Sequence, residues 1–103
     1  MKTIGMFKEI FHDEKLPSLK DNIDKKPYEN INIVLNHLKS GEIVACAAGR
    51  ARDVFTDKTI TEELKFMTDG KYEWRSDIIF YVEKYNLRLP DDFEEHCLTF
   101  DGR

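Results

Sequence analysis

The chain reads as a single α+β domain, mostly helical, with about four helices packed on a short antiparallel β-hairpin or small sheet. Three observations carry that expectation. Apolar residues recur at helical spacing over 28–38 and again over 74–85. One short run, "EIVACAAG" at 42–49, is β-branched at its start and bounded by glycines. A length of 103 residues leaves room for one core and no second domain.

From the N-terminus, "TIGMFKEIF" (3–11) places Ile4, Phe7, Ile10 and Phe11 at helical spacing, which predicts a short amphipathic helix. Residues 12–27 are polar and broken by Pro17 and Pro27. They read as a loop with one helical turn from Pro17, tacked down by Leu16, Leu19 and Ile23. Tyr28, Ile31, Val34, Leu35 and Leu38 then share one face. Pro27 suits the first position of that helix, and Gly41 suits its stop. A strand is expected at 42–48, with "DVFTDKTI" (53–60) as its partner, although "GRAR" is not a standard hairpin turn. Thr61, Glu62 and Glu63 favour a helical turn in "TEELKFM", and Gly70 marks a tight turn. In the last third Ser76 is placed to cap a helix whose stripe is Trp74, Ile78, Tyr81, Val82 and Tyr85. Asn86 suits its left-handed end. Pro90 starts a final short helix, with Asp91 and Asp92 in its first turn and Phe93 and Leu98 facing inward.

The composition excludes several classes. Apolar residues are 41% and charged residues 35%, so the chain is an ordinary globular sequence that needs no metal or disulfide staple. No apolar run reaches the roughly 18 residues of a membrane span. The start, "MKTIGMFKEIFHDE", lacks the uninterrupted apolar stretch of a signal peptide, and a cytoplasmic location is expected. Cys46 and Cys97 belong to no C-x-x-C pair and read as reduced, buried, small apolar residues.

Net charge is −4 and unevenly spread. Residues 1–52 hold nine Lys/Arg and seven Asp/Glu, for +2; residues 53–103 hold seven and thirteen, for −6. The acidic half matches nucleic acid poorly and a basic protein surface well. A local basic patch of Lys25, Lys26, Lys39, Arg50 and Arg52 is the one feature favouring a nucleic-acid-binding regulator.

Candidate chemistry concentrates in "GRARDVFTDK" (49–58), where Arg50 and Arg52 could hold an anion beside Asp53. The stretch has too few glycines for a phosphate cradle. Thr56 and Thr59 have no histidine near them in sequence to activate a nucleophile. It reads as a turn beside a strand that touches a partner, with a small anion-binding protein or enzyme as the alternative. His12, His37 and His96 show no ligand spacing, so neither a metal nor another cofactor is expected; His37 reads as a rim residue. Trp74, Phe80, Tyr81 and Tyr85 read as core rather than as a base-stacking platform. The run "DDFEEH" supplies Asp91, Asp92, Glu94 and Glu95 around Phe93, which is a carboxylate cluster with an aromatic anchor suited to a basic partner.

The stretch "DGKYEWRSDIIFYVEKYNLRLPDDFEEH" (69–96) combines a Tyr/Trp turn, a "YVEKYN" helix and "LPDDF". In this it resembles small bacterial immunity proteins of polymorphic toxin systems, including contact-dependent growth inhibition. The resemblance implies a non-enzymatic protein, monomeric when free, that forms a 1:1 complex with a cognate toxin domain. The toxin would often be a nuclease, with its active site or substrate path blocked. Asp91, Asp92, Phe93, Glu94 and Glu95 are the candidate partner-binding residues, with Asp69 and Glu73 beside them.

Overall fold

A computed structural model describes residues 2–47 and 49–100. Their strands are β1 (Lys2–Thr3), β2 (Glu42–Ala47), β3 (Ala51–Arg52), β4 (Thr59–Thr61), β5 (Leu64–Thr68) and β6 (Tyr72–Arg75). Their helices are α1 (Lys8–Phe11), α2 (Ile31–Lys39), α3 (Asp77–Tyr85) and α4 (Asp91–Thr99), with one 3₁₀ turn at Lys20–Asn22.

The sheet is built outward from a hairpin. Gly70, at φ 97°, lets β5 turn tightly into β6, and the register pairs Phe66 with Arg75, Met67 with Trp74 and Thr68 with Glu73. β2 adds antiparallel to β5, and β1 adds parallel to β6, for a strand order of β1-β6-β5-β2. β3 and β4 pair separately as a two-stranded sheet. The helices α2, α3 and α4 pack around Trp74, Tyr81 and Phe93, all fully buried, with Leu19, Leu38, Ile78 and Leu87 filling between them. Gly41 is required by this core: a Cβ there would lie 2.6 Å from Cζ2 of Trp74.

The α+β class and four helices agree with expectation, but the chain is about 35% helix and 24% strand, so it is not mostly helical. The difference comes from three segments. Residues 3–11 split into a strand and a four-residue helix, because Gly5 takes a positive φ of 77° and packs against Ile78, where no Cβ fits. "TEELKFM" is a strand and not a helical turn. The Thr61 hydroxyl bonds the backbone of Glu63 at 3.0 and 3.2 Å, so the threonine organises a tight turn, and β5 then pairs on both edges. Trp74 belongs to β6 rather than to the helix, although it faces the same core.

Smaller corrections follow from the same packing. β2 pairs with β5 and not with 53–60; the strand expected to 48 is described to Ala47, and position 48 lies outside the described residues. The helical turn expected from Pro17 forms at Lys20–Asn22, and α2 begins at Ile31. The Ser76 hydroxyl makes no cap bond in α3; it accepts from the Lys65 amide at 3.1 Å. Phe93 faces inward as expected, but Leu98 is 46% exposed, and Cys97 takes the second inward position of α4. Asn86 does close α3 in the left-handed conformation, at φ 57°.

Candidate functional site

The most concentrated polar group joins α2, the β5–β6 turn and α4. Oδ1 of Asp69 accepts from the amides of Lys71 and Tyr72 at 2.9 and 2.8 Å, which is how an aspartate shapes a tight turn. Its Oδ2 meets Nε2 of His37 at 2.6 Å and Nε2 of His96 at 2.7 Å. Burial pushes the Asp69 carboxyl up, but the Tyr72 and Lys71 amides and then the two imidazoles outweigh it and hold it at about 2. An ionised carboxylate only accepts, so both Nε2 atoms carry hydrogen. Aromatic rings enclose the group: Phe100 lies 4.7 Å from His37, and Tyr72 lies 4.7 Å from His96.

His37, Asp69 and His96 offer donor atoms within 4.8 Å of one another, a set that could hold a divalent ion. A tetrahedral ion needs ligand atoms roughly 3.3 Å apart. The 2.6 and 2.7 Å contacts are hydrogen-bond lengths, so an ion would first have to open them. As it stands the group is a hydrogen-bonded bridge. Sequence reasoning placed His37 at the rim and Asp69 on a partner surface; both are inside, with side-chain exposures of 0% and 4%. The partners are 32 and 27 residues apart, so no local spacing announced them.

"GRARDVFTDK" is a turn built on its aspartate. Asp53 is buried, accepts from the Phe55 amide at 2.8 Å, and takes the Tyr85 hydroxyl at 2.6 Å. That bond, ahead of burial, raises the Tyr85 hydroxyl to about 12. The Tyr81 hydroxyl accepts from the Val54 amide and donates to the Arg52 carbonyl, locking the turn to α3. Arg50, Arg52 and Asp53 do line a common cavity of about 450 Å³, with His12, Arg75 and Asp77. Its charges are largely matched internally: Arg52 with Asp57 at 3.4 Å, Arg75 with Asp77 at 2.9 Å, and Arg50 with Glu62 at 3.3 Å. Oδ1 of Asp77 is buried without a hydrogen-bond partner among the described residues, and burial raises that carboxyl despite the Arg75 guanidinium beside it. Of the basic patch, Lys39 is likewise paired, with Glu83 at 2.8 Å.

The acidic helix divides. Phe93 is fully buried in the core, so it is no anchor for a partner. Glu94 is partly buried and bonded to Arg88 and Asn30. Asp92 is exposed and paired with Lys2 at 2.9 Å, while Asp91 and Glu95 are exposed with no ion pair among the described residues. Glu73 is half-buried on β6. At the far edge of the sheet, Glu42 through Cys46 of β2 are all exposed. Cys46 is therefore a surface thiol, contrary to expectation, whereas Cys97 is buried as expected.

No helix among the described residues is long and apolar enough to cross a membrane. No protein-family model matches the chain, and neither a curated protein nor a solved structure matches it.

Proposed function

We propose that this chain is a binding inhibitor of the immunity type, which seats on the basic surface of a cognate toxin domain and blocks its active site or substrate path. The observation that best supports this reading is how the polar groups are divided. Those with chemical potential, Asp53, Asp69, His37 and His96, are tied up in internal hydrogen bonds. The carboxylates of Asp91 and Glu95 stand in solvent without a cation among the described residues. Such carboxylates steer a cationic partner and compete with the phosphates a nuclease would bind. The test is co-expression with a candidate toxin domain taken from the neighbouring reading frame. Growth protection is expected from the wild-type chain. Reversing Asp91 and Glu95 to lysine, both exposed with no ion pair among the described residues, should weaken binding more than about tenfold. Absence of protection removes the inhibitor reading, and unchanged affinity removes this face from it.

The cavity lined by Arg50, Arg52 and Arg75 supports a second reading, a small-anion site. Titration with inorganic phosphate, followed by the amide resonances of residues 50–57, tests it; absence of saturable shifts there removes it.

A further inference from the structure

We infer that the outer edge of β2 takes up an extended strand of a protein partner, apolar in the middle and basic at its ends. Three features of the edge converge on that occupant.

The first is that the edge is open. β2 closes one side of the four-stranded sheet, so its outward amides and carbonyls have no strand beyond them among the described residues. Five consecutive residues, Glu42 to Cys46, are exposed on both faces of the strand. Natural edges are blunted with lysine, proline, a bulge or a covering element. "EIVACA" contains neither residue type, and its Ile43 and Val44 are 50% and 52% exposed. A register shift between Ile43 and Ala45 places a bulge at Val44, which adds twist and discourages indiscriminate stacking while leaving both apolar side chains outside.

The second is the pattern of charge. Glu42 stands at the start of the strand, and its last residue, Ala47, pairs with Leu64, directly after Glu63. Arg50 and Glu62 neutralise one another at 3.3 Å, which leaves Glu42 and Glu63 against Lys65, the residue paired with Cys46. Carboxylates therefore bracket an apolar centre at both ends. An incoming strand with lysine or arginine at its ends and apolar residues between satisfies both elements, whether it runs parallel or antiparallel.

The third excludes a second copy of this chain. Pairing β2 antiparallel with itself about Val44 and Ala45 would bring Glu42 of each copy beside the Glu63 end of the other. Like charges so placed oppose the pairing, as does the net charge of −4 on each copy.

The biological occupant rests on the proposed inhibitor role, but the edge can be tested apart from it. Isotope-labelled full-length chain is titrated with a short peptide of alternating lysine and valine, and with its glutamate–valine counterpart. Saturable shifts confined to residues 42–47 and 63–65, with slowed exchange of the outward β2 amides, are expected from the lysine peptide. The glutamate peptide and the Val44→Lys variant should each bind at least about tenfold more weakly. Val44 is half in solvent, and an unchanged unfolding transition confirms that the variant is folded. Shifts mapping to α4, equal binding of both peptides, or β2-dependent dimerisation of the chain alone would overturn the inference. Growth protection against the toxin is scored separately. Peptide binding without protection retires the inhibitor role and keeps the edge; protection without peptide binding does the reverse.

Discussion

His37 and Asp69 meet at 2.6 Å inside the protein, and the same carboxylate oxygen holds His96 at 2.7 Å. One ionised side chain thus ties two helices to the hairpin turn that it also shapes through the Lys71 and Tyr72 amides. Removing it leaves two imidazole N–H groups and the Tyr72 amide without their acceptor in a partly buried site, while the exposed Lys71 amide can turn to water. Asp69→Ala should cost about 3 kcal/mol, measured by denaturant unfolding. A cost below about 1 kcal/mol would mean that the bridge contributes little.

The same group sets an acid limit. The folded carboxyl is held at about 2, below its ordinary 3.8, so the unfolded chain binds the proton first as pH falls. Its contribution, roughly 2 kcal/mol, is fully present above about pH 4 and is lost between about pH 4 and 2. Asp69→Asn should flatten the pH dependence of stability in that window, read from unfolding midpoints at successive pH values.

Gly41 leaves room for the single tryptophan. Gly41→Ala would set a methyl 2.6 Å from Trp74, whose ring is fully buried and has nowhere to retreat. A loss of about 2 kcal/mol is expected, with a shift in tryptophan emission. An unaltered spectrum would show that the backbone yields instead.

The two thiols should differ sharply. Cys46 is exposed and Cys97 buried, so in the folded protein a disulfide reagent should modify Cys46 first. The Glu63 carboxylate beside it pushes the Cys46 thiol up and so disfavours the reactive thiolate. Glu63→Gln should therefore speed that modification, in stopped-flow absorbance, and leave Cys97 untouched.

Tyr85 anchors the 49–58 turn through Asp53. Tyr85→Phe should cost about 1 kcal/mol, since the Phe55 amide still engages the carboxylate, and Asp53→Ala should cost more. Thermal unfolding of both variants and of the pair decides whether they act as one unit.

The sequence by itself determined the helices whose apolar stripes run unbroken, α2 and α3, and the left-handed stop at Asn86. It also marked β2 and the turn at Gly70, because these depend on local periodicity and on residues with special backbone freedom. The tertiary structure decided what "TEELKFM" became: pairing with β6 and β2 outweighed a helix-start signal that the Thr61 turn could equally satisfy. It also decided that Asp69, expected on a partner surface, would face inward, and that Leu98, expected inside, would face out. The bridge of His37, Asp69 and His96 had no local signature. Hydrogen bonds between distant segments carry no period, and they exist only once the helices have closed on Trp74.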